Sequence, residues 1–123
     1  MKNLIIIIDD DPAILLAFKK LLKKKNYDIC TFSRWDQAED ELISKSPVLI
    51  ILDMKIPAAE GIALLKRIKL NFPEIPVVAM TAFSNIFTEK EVLQTGADGY
   101  LTKPFEITSM LTNIEKYIQH HYL

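Results

Sequence analysis

Several short apolar runs in this sequence end in a side chain that can take part in chemistry. Leu4–Ile8 runs into three successive aspartates, Asp9-Asp10-Asp11, and Val48–Leu52 ends abruptly in Asp53. Such runs are typical of strands buried on both faces of a parallel sheet. Two later candidate strands lead into a threonine and a lysine, Thr81 and Lys103. Because open α/β sheets bind ligands outside the carboxyl ends of their strands, we expect these side chains to share one site.

Aspartates, a lysine and a threonine at one site suggest phosphoryl transfer. Converging carboxylates repel one another, and a hard divalent ion such as Mg²⁺ prefers the oxygen ligands that they offer. Zinc is not favoured, because His120 and His121 lie at the far end of the chain. One carboxylate would be the nucleophile, while cations hold the oxygens of the transferred group. The three glycines form no phosphate-cradling motif, so side chains and cations must do this work.

The composition is that of a single globular domain. The 123 residues include 15 basic and 16 acidic side chains, a formal net charge of -1, so no overall field favours nucleic acid or an anionic membrane. Cys30 is the only cysteine, which favours a reducing compartment. The N-terminal apolar run is too short for a signal or a membrane span. We therefore expect a cytoplasmic protein without direct nucleic-acid or membrane partners.

Strand and helix patterns alternate along the chain, which predicts an α/β fold with a parallel sheet and helices on both faces. Asp11 followed by Pro12 predicts a helix start, and Ser33 with Asp36 resembles a capping box for a second helix. The last candidate strand is Asp98–Leu101. Lysines fill the outer face and the end of the first helix, and we interpret them as a solvated surface: Lys19, Lys20, Lys23, Lys24 and Lys25.

The strand-end motifs carry a family resemblance. They are Ile5-Ile-Ile-Ile-Asp-Asp-Asp11, Leu52-Asp53-Met-Lys-Ile-Pro57, Met80-Thr81-Ala82 and Gly96-Ala-Asp-Gly-Tyr-Leu-Thr-Lys-Pro-Phe105. In this order they resemble the receiver domain of two-component response regulators, the CheY-like family. The resemblance covers residues 1–123. It implies a flavodoxin-like, three-layer (βα)5 fold with a parallel five-stranded sheet in the order 2-1-3-4-5.

The resemblance implies that Asp53 is the phosphoacceptor. It would take a phosphoryl group from a phosphohistidine of a sensor histidine kinase or a histidine phosphotransfer protein. Asp10 and Asp53 would ligate Mg²⁺ directly, together with the main-chain carbonyl of Lys55, and Asp9 would act mainly through a bound water. Such a domain would not be an enzyme beyond catalysing its own phosphorylation and dephosphorylation.

The resemblance also implies a switch. Thr81, the main-chain N–H of Ala82 and Lys103 would contact the phosphoryl oxygens, and Tyr100 would turn inward as Thr81 moves toward the phosphate. The Lys103–Pro104 bond would be cis, and the surface that changes would span residues 83–105. The lysine-rich first helix and residues 104–106 would meet the phosphodonor. Output would pass to a downstream effector protein or to a C-terminal output domain.

Two other functions stay open at this stage. The aliphatic run before Asp9 and Asp11 superficially resembles the nucleophile motif of haloacid-dehalogenase-type phosphatases, in which Asp9 would be attacked. The other alternative is a pseudo-receiver, which binds partners without being phosphorylated. The sequence also departs from the usual receiver pattern after Pro57, where Ala58-Ala59-Glu60-Gly61 replaces Gly-Met-Asp-Gly.

Overall fold

Strands and helices alternate through the computed structural model, which describes residues 3–55, 61–82, 89–103 and 107–122. The elements are β1 (Asn3–Ile8), α1 (Pro12–Lys23), β2 (Tyr27–Phe32), α2 (Trp35–Lys45), β3 (Leu49–Asp53), α3 (Gly61–Asn71), β4 (Val77–Ala82), α4 (Glu89–Thr95), β5 (Gly99–Lys103) and α5 (Ile107–Tyr122). Among the described helices, none combines the length and the apolar character that crossing a bilayer requires.

The strands form one parallel sheet in the order β2-β1-β3-β4-β5, which confirms the predicted fold. Side chains alternate between the two faces of a strand, so each face has its own hydrophobic core. Ile6 and Ile8 pack with α2, α3 and α4 on one face, and Ile5 and Ile7 pack with α1 and α5 on the other. The central strand β3 is buried along its whole length, so the position of its last residue, Asp53, is rigidly defined.

Asp11 and Pro12 begin α1 as predicted. The Asp11 carboxylate accepts a hydrogen bond from the main-chain N–H of Ala13 at 2.9 Å, and Pro12 is the first helical residue. The cap places the start of α1 directly after the aspartates that follow β1. It therefore fixes the path of the chain where those carboxylates must act.

The predicted capping box of α2 is wrong. The N-cap is Arg34, whose backbone is extended and whose side chain makes no capping bond. Because α2 begins at Trp35, Asp36 is only the second helical residue and lies too early for a capping box with Ser33. The Asp36 carboxylate instead accepts a hydrogen bond from Arg34 Nε at 3.1 Å.

The last strand begins and ends later than predicted. It runs over Gly99–Lys103, and Asp98 precedes it, with a carboxylate that bonds to the start of β4. One Asp98 oxygen accepts hydrogen bonds from the main-chain N–H of Val77 at 2.8 Å and from Lys69 Nζ at 3.0 Å. This bond ties the start of β4 to the start of β5, while the later end of β5 brings Lys103 to the carboxyl edge.

We predict that Asp98→Ala lowers the free energy of unfolding by about 1–3 kcal/mol, because the substitution leaves the buried N–H of Val77 without an acceptor. Urea denaturation followed by circular dichroism measures the change. The control is Asp40→Ala, at an exposed position of α2, for which we expect a change within about 0.5 kcal/mol. Equal stability of the Asp98 variant and wild type would show that the bond to Val77 does not contribute.

Candidate functional site at the carboxyl edge of the sheet

Three carboxylates converge where β1 and β3 end. The two strands are neighbours, and Ile8 is paired with Leu52 in their register, so the residues that follow lie side by side. One oxygen each of Asp9, Asp10 and Asp53 lies within 4.8 Å of the others. Asp9 is fully buried, Asp53 is nearly so, and Asp10 is exposed. The structure thus brings together the predicted acidic residues.

Main-chain N–H groups orient both buried carboxylates. Asp9 Oδ1 accepts a hydrogen bond from the N–H of Asp11 at 2.9 Å, and Asp53 Oδ1 accepts one from the N–H of Lys55 at 3.1 Å. In both cases the donor is the main-chain N–H of the residue two positions after the aspartate. The chain therefore turns directly after each strand and brings this N–H to the carboxylate. In each group the other oxygen, Oδ2, remains directed toward a lysine.

That lysine is Lys103 on β5. Ala82 is paired with Lys103 in the register of β4 and β5, so the lysine lies two strands away from β3 in the sheet. Its Nζ donates to Asp9 Oδ2 at 2.6 Å and to Asp53 Oδ2 at 3.3 Å. The side chain is only partly exposed. A single ammonium therefore bridges the two buried carboxylates.

The electrostatics of the site leave negative charge uncompensated. Burial raises the pKa of Asp9 from 3.8 to about 6, and the charge of Asp53 adds to the rise, although hydrogen bonds from Lys103 and Asp11 oppose it. Burial lowers the pKa of Lys103, but the hydrogen bond and charge of Asp9, and then those of Asp53, outweigh it and raise that pKa overall. The lysine therefore stays protonated while the carboxylates retain an excess of negative charge.

A hard divalent cation fits this donor set. Every side-chain donor in the cluster is a carboxylate oxygen, and Lys103 neutralises only part of their charge. Mg²⁺ takes one or two carboxylates and keeps several waters, which suits a cluster with one exposed member, Asp10. Asp9 differs from Asp10, because both of its oxygens already accept hydrogen bonds within the protein.

The threonine and the tyrosine of the expected switch are in direct contact. Thr81 is fully buried at the end of β4, and its Oγ1 donates a hydrogen bond to the hydroxyl of Tyr100 at 2.7 Å. We predicted that both residues take part in a switch, but their spacing in the sequence gives no signal of this bond. It depends on the register in which Ala79 lies opposite Tyr100.

The remaining predicted residues have different outcomes. Ala82 ends β4, next to Thr81, where a main-chain donor was expected. Gly61 begins α3 against the backbone of Met54, and a Cβ there would collide with the Met54 carbonyl oxygen, so this glycine lets α3 start directly behind Asp53. Residues 56–60, 83–88 and 104–106 lie outside the described residues. They include Pro104 and the altered segment after Pro57, apart from Gly61.

These features define a class of protein: a parallel α/β domain with an acidic cluster, one bridging lysine and a buried threonine at the carboxyl edge of its sheet. Comparison with known proteins agrees. The chain belongs to the response regulator receiver domain family, whose model matches residues 5–115. This match does not favour the haloacid-dehalogenase-type phosphatase or the pseudo-receiver.

Its relatives include proteins of two different lengths. The chain is 34% identical to the DNA-binding transcriptional regulator NtrC of Klebsiella pneumoniae over 115 residues, which cover 94% of this chain and 24% of that protein. It is 33% identical to the sporulation initiation phosphotransferase F of Bacillus subtilis over 118 residues, 96% of this chain and 95% of that protein. It therefore spans about a quarter of the first group and nearly all of the second.

Solved structures show the same fold. A CheY-like receiver domain protein from Methanospirillum hungatei superposes with a TM-score of 0.90 at 25% identity, covering 98% of this chain and 97% of that one. The receiver domain of NtrX from Brucella abortus gives a TM-score of 0.85 at 28% identity, with 94% and 98% coverage.

We predict that Asp9→Asn raises the free energy of unfolding at pH 7 without metal by about 1–3 kcal/mol, because the buried carboxylate is then ionised at a cost. Because its pKa is raised on folding, Asp9 contributes to the stability of the folded state. The contribution is complete below pH 3.8 and is lost as the pH rises through about 6. The gain should therefore shrink between pH 7 and pH 5. Urea denaturation at both pH values measures it.

The matched control is Asp10→Asn, which makes the same change of charge at an exposed position. We expect it to change the stability less than Asp9→Asn does. An Asp9→Asn protein that is less stable than wild type at pH 7 would contradict the assignment of the cost to burial.

Proposed function

We propose that Asp53 is the phosphoacceptor of this receiver domain and that its donor is a phosphohistidine of a sensor histidine kinase or of a histidine phosphotransfer protein. One observation carries the proposal. Asp53 is held at the end of the buried central strand with Oδ1 bonded to the N–H of Lys55 and Oδ2 beside Lys103. A carboxylate held in this way has one fixed orientation toward a nearby cation, which is what an in-line displacement requires.

In the transfer, a carboxylate oxygen of Asp53 forms a bond to phosphorus while the bond from phosphorus to the histidine nitrogen breaks. The electron pair of that bond stays on the leaving imidazole, and the carboxylate becomes an acyl phosphate. Lys103 already lies next to Asp53 Oδ2, so it would stabilise the negative charge on the phosphoryl oxygens without moving far.

Mg²⁺ is the cofactor that the cluster fits. Asp10, Asp53 and the main-chain carbonyl of Lys55 would hold it directly, and Asp9 would hold it through a water. When bound, the ion would neutralise charge on the phosphoryl oxygens during transfer. The placement of Asp9 supports this division, since hydrogen bonds from the N–H of Asp11 and from Lys103 already occupy its oxygens.

The bond between Thr81 and Tyr100 suggests how phosphorylation is sensed. The Thr81 hydroxyl has one proton to donate, and in the structure that proton goes to Tyr100. A phosphoryl group on Asp53 would accept it, together with the main-chain N–H of Ala82, so the bond to Tyr100 would be lost. The added negative charge would thereby change the surface over residues 83–105, and a cis bond before Pro104 would hold Lys103 in place.

We infer that the chain acts in the cytoplasm and catalyses only its own phosphorylation and dephosphorylation. The output would be a downstream effector protein or an output domain of a longer protein. Both arrangements have a parallel among its relatives, since NtrC is named a DNA-binding regulator and a relative of nearly the same length is named a phosphotransferase. The domain itself would contact neither nucleic acid nor membrane.

The test is to phosphorylate the protein with acetyl phosphate and Mg²⁺ and to identify the modified residue by borohydride reduction and mass spectrometry. We expect the label on Asp53, none in Asp53→Asn, and full labelling in Asp36→Asn, which removes a remote exposed carboxylate. Label on Asp9 would favour the phosphatase reading. Absence of label would favour the pseudo-receiver.

We predict that Tyr100→Phe increases the apparent affinity for beryllofluoride, a phosphoryl mimic, by about 2- to 10-fold. The substitution removes the group that competes for the Thr81 hydroxyl, and such a hydrogen bond contributes about 0.5–1.5 kcal/mol. Fluorescence of Trp35, the only tryptophan, is the readout, because it is buried in the same cluster as Met54, the residue after Asp53.

Two variants check this interpretation. Tyr117→Phe removes a tyrosine hydroxyl from α5 and should leave the affinity unchanged. In a Thr81→Ala background, Tyr100→Phe should have no further effect. An equal gain with and without Thr81 would show that the two hydroxyls do not compete.

A further inference from the structure

Strand β2 forms one edge of the sheet, and its first residues, which pair with the start of β1, lie at the end of the strand away from the carboxylate site. Within the described residues, β1 is its only partner strand. The carbonyl of Phe32 accepts a hydrogen bond from the N–H of Asp9, so Phe32 and every second residue before it direct their main-chain groups toward β1. The main-chain groups of Ile29 and Thr31 therefore point away from the sheet. Such an edge can accept a further strand.

The edge is bordered by a basic groove. It has a volume of about 430 Å³ and is lined by residues of α1 and β2, which are Lys19, Lys20, Lys23, Tyr27, Asp28 and Ile29. The three lysines are exposed, and they lie on the same side of the sheet as Tyr27 and Ile29, whose side chains pack against the core beneath α1. The groove is therefore positive above an edge whose main-chain groups are available for pairing.

The acids near the groove do not cancel this charge. Asp28 is a single carboxylate among the three lysines, and Glu115 of α5 lies close enough to Tyr27 to raise its pKa in addition to the effect of burial. Lys24 and Lys25 follow directly at the end of α1. A sheet edge can be protected from pairing by lysines on the edge strand itself, but Lys19, Lys20 and Lys23 belong to α1, and β2 contains no lysine.

We propose that the edge of β2 binds an extended acidic segment of a partner protein, added to the sheet as a further strand beside α1. Side chains of an added strand alternate between the two faces of the sheet, so acidic residues at every second position would meet Lys19, Lys20 and Lys23. The residues between them would lie on the opposite face, beside Cys30 and Phe32. The segment recognised is one in which acidic and apolar residues alternate.

The charge of the groove favours an acidic segment over a second copy of the chain as the binding partner. Pairing two β2 edges would bring two sets of these lysines together in one interface, and like charges at close range oppose association. Nucleic acid would satisfy the lysines but has no main-chain groups to pair with Ile29 and Thr31. An acidic strand satisfies both the charge and the hydrogen-bonding groups.

The probe is a fluorescein-labelled peptide of alternating Glu and Val, six residues long, measured by fluorescence anisotropy. The matched peptide has the same composition with three Glu followed by three Val. We expect the alternating peptide to bind at least tenfold more tightly, and we expect the amides of Ile29 and Thr31 to become protected from hydrogen exchange when it binds. Equal affinity for both peptides would overturn the proposal, since charge alone would then explain the binding.

Variants distinguish strand addition from general attraction. Lys19→Gln, Lys20→Gln and Lys23→Gln combined should weaken binding at least tenfold, whereas Lys66→Gln, Lys90→Gln and Lys116→Gln combined make the same charge change at exposed positions elsewhere and should not. Thr31→Pro removes an outward N–H, a change that edge strands tolerate, and should also abolish binding. If the Thr31→Pro protein does not fold, hydrogen exchange at Ile29 and Thr31 and the binding of the lysine variants test the proposal.

Three further results would overturn the proposal. These are no binding up to millimolar peptide, equal weakening by both lysine sets, and single-stranded DNA binding as tightly as the peptide. Protection of Ile29 and Thr31 that rises with protein concentration alone, with a dimer in sedimentation, would instead assign the edge to a second copy of the chain.

Discussion

Two buried carboxylates at adjacent strand ends, bridged by one ammonium, are the interaction on which the rest of this structure depends. One oxygen of Asp9 lies within 4.8 Å of one oxygen of Asp53. At this distance two negative charges in a poorly solvated site repel each other, and Lys103 offsets only part of the repulsion. The core must therefore hold them in place at a cost in stability, for which the raised pKa of Asp9 is the sign. The same excess of negative charge is what would attract a divalent ion, and the ion would in turn offset the charge of a phosphoryl group.

The division between rigid and responsive parts follows from this constraint. β3 is buried along its length and β1 is packed on both faces, so the carboxylates cannot move apart without disturbing two hydrophobic cores. Thr81 and Tyr100, by contrast, are linked by a single hydrogen bond between hydroxyl groups. A bond of this kind can be exchanged for another at small cost. A charge added at Asp53 is therefore more readily sensed on the β4 and β5 side of the sheet than on the β1 side.

Similar domains occur in relatives of two different lengths. The chain covers about a quarter of the NtrC relatives and nearly all of the sporulation phosphotransferase, so the features shared with both must lie within the domain itself. The basic groove beside β2 lies away from the acidic cluster and Lys103, on the opposite side of β1 from β3. A surface in that position could bind a partner without blocking the carboxyl edge.

Local patterns in the sequence were sufficient wherever the physical cause was itself local. Buried apolar runs predicted the strands, the alternation of elements predicted the parallel sheet, and Asp11 with Pro12 predicted the start of α1, because a cap depends on neighbouring residues. The family motifs then predicted which strand ends meet. Tertiary structure decided the rest. The role of Asp98, the bond between Thr81 and Tyr100 and the raised pKa of Asp9 all depend on register and burial, which join residues far apart in the chain and leave no local pattern.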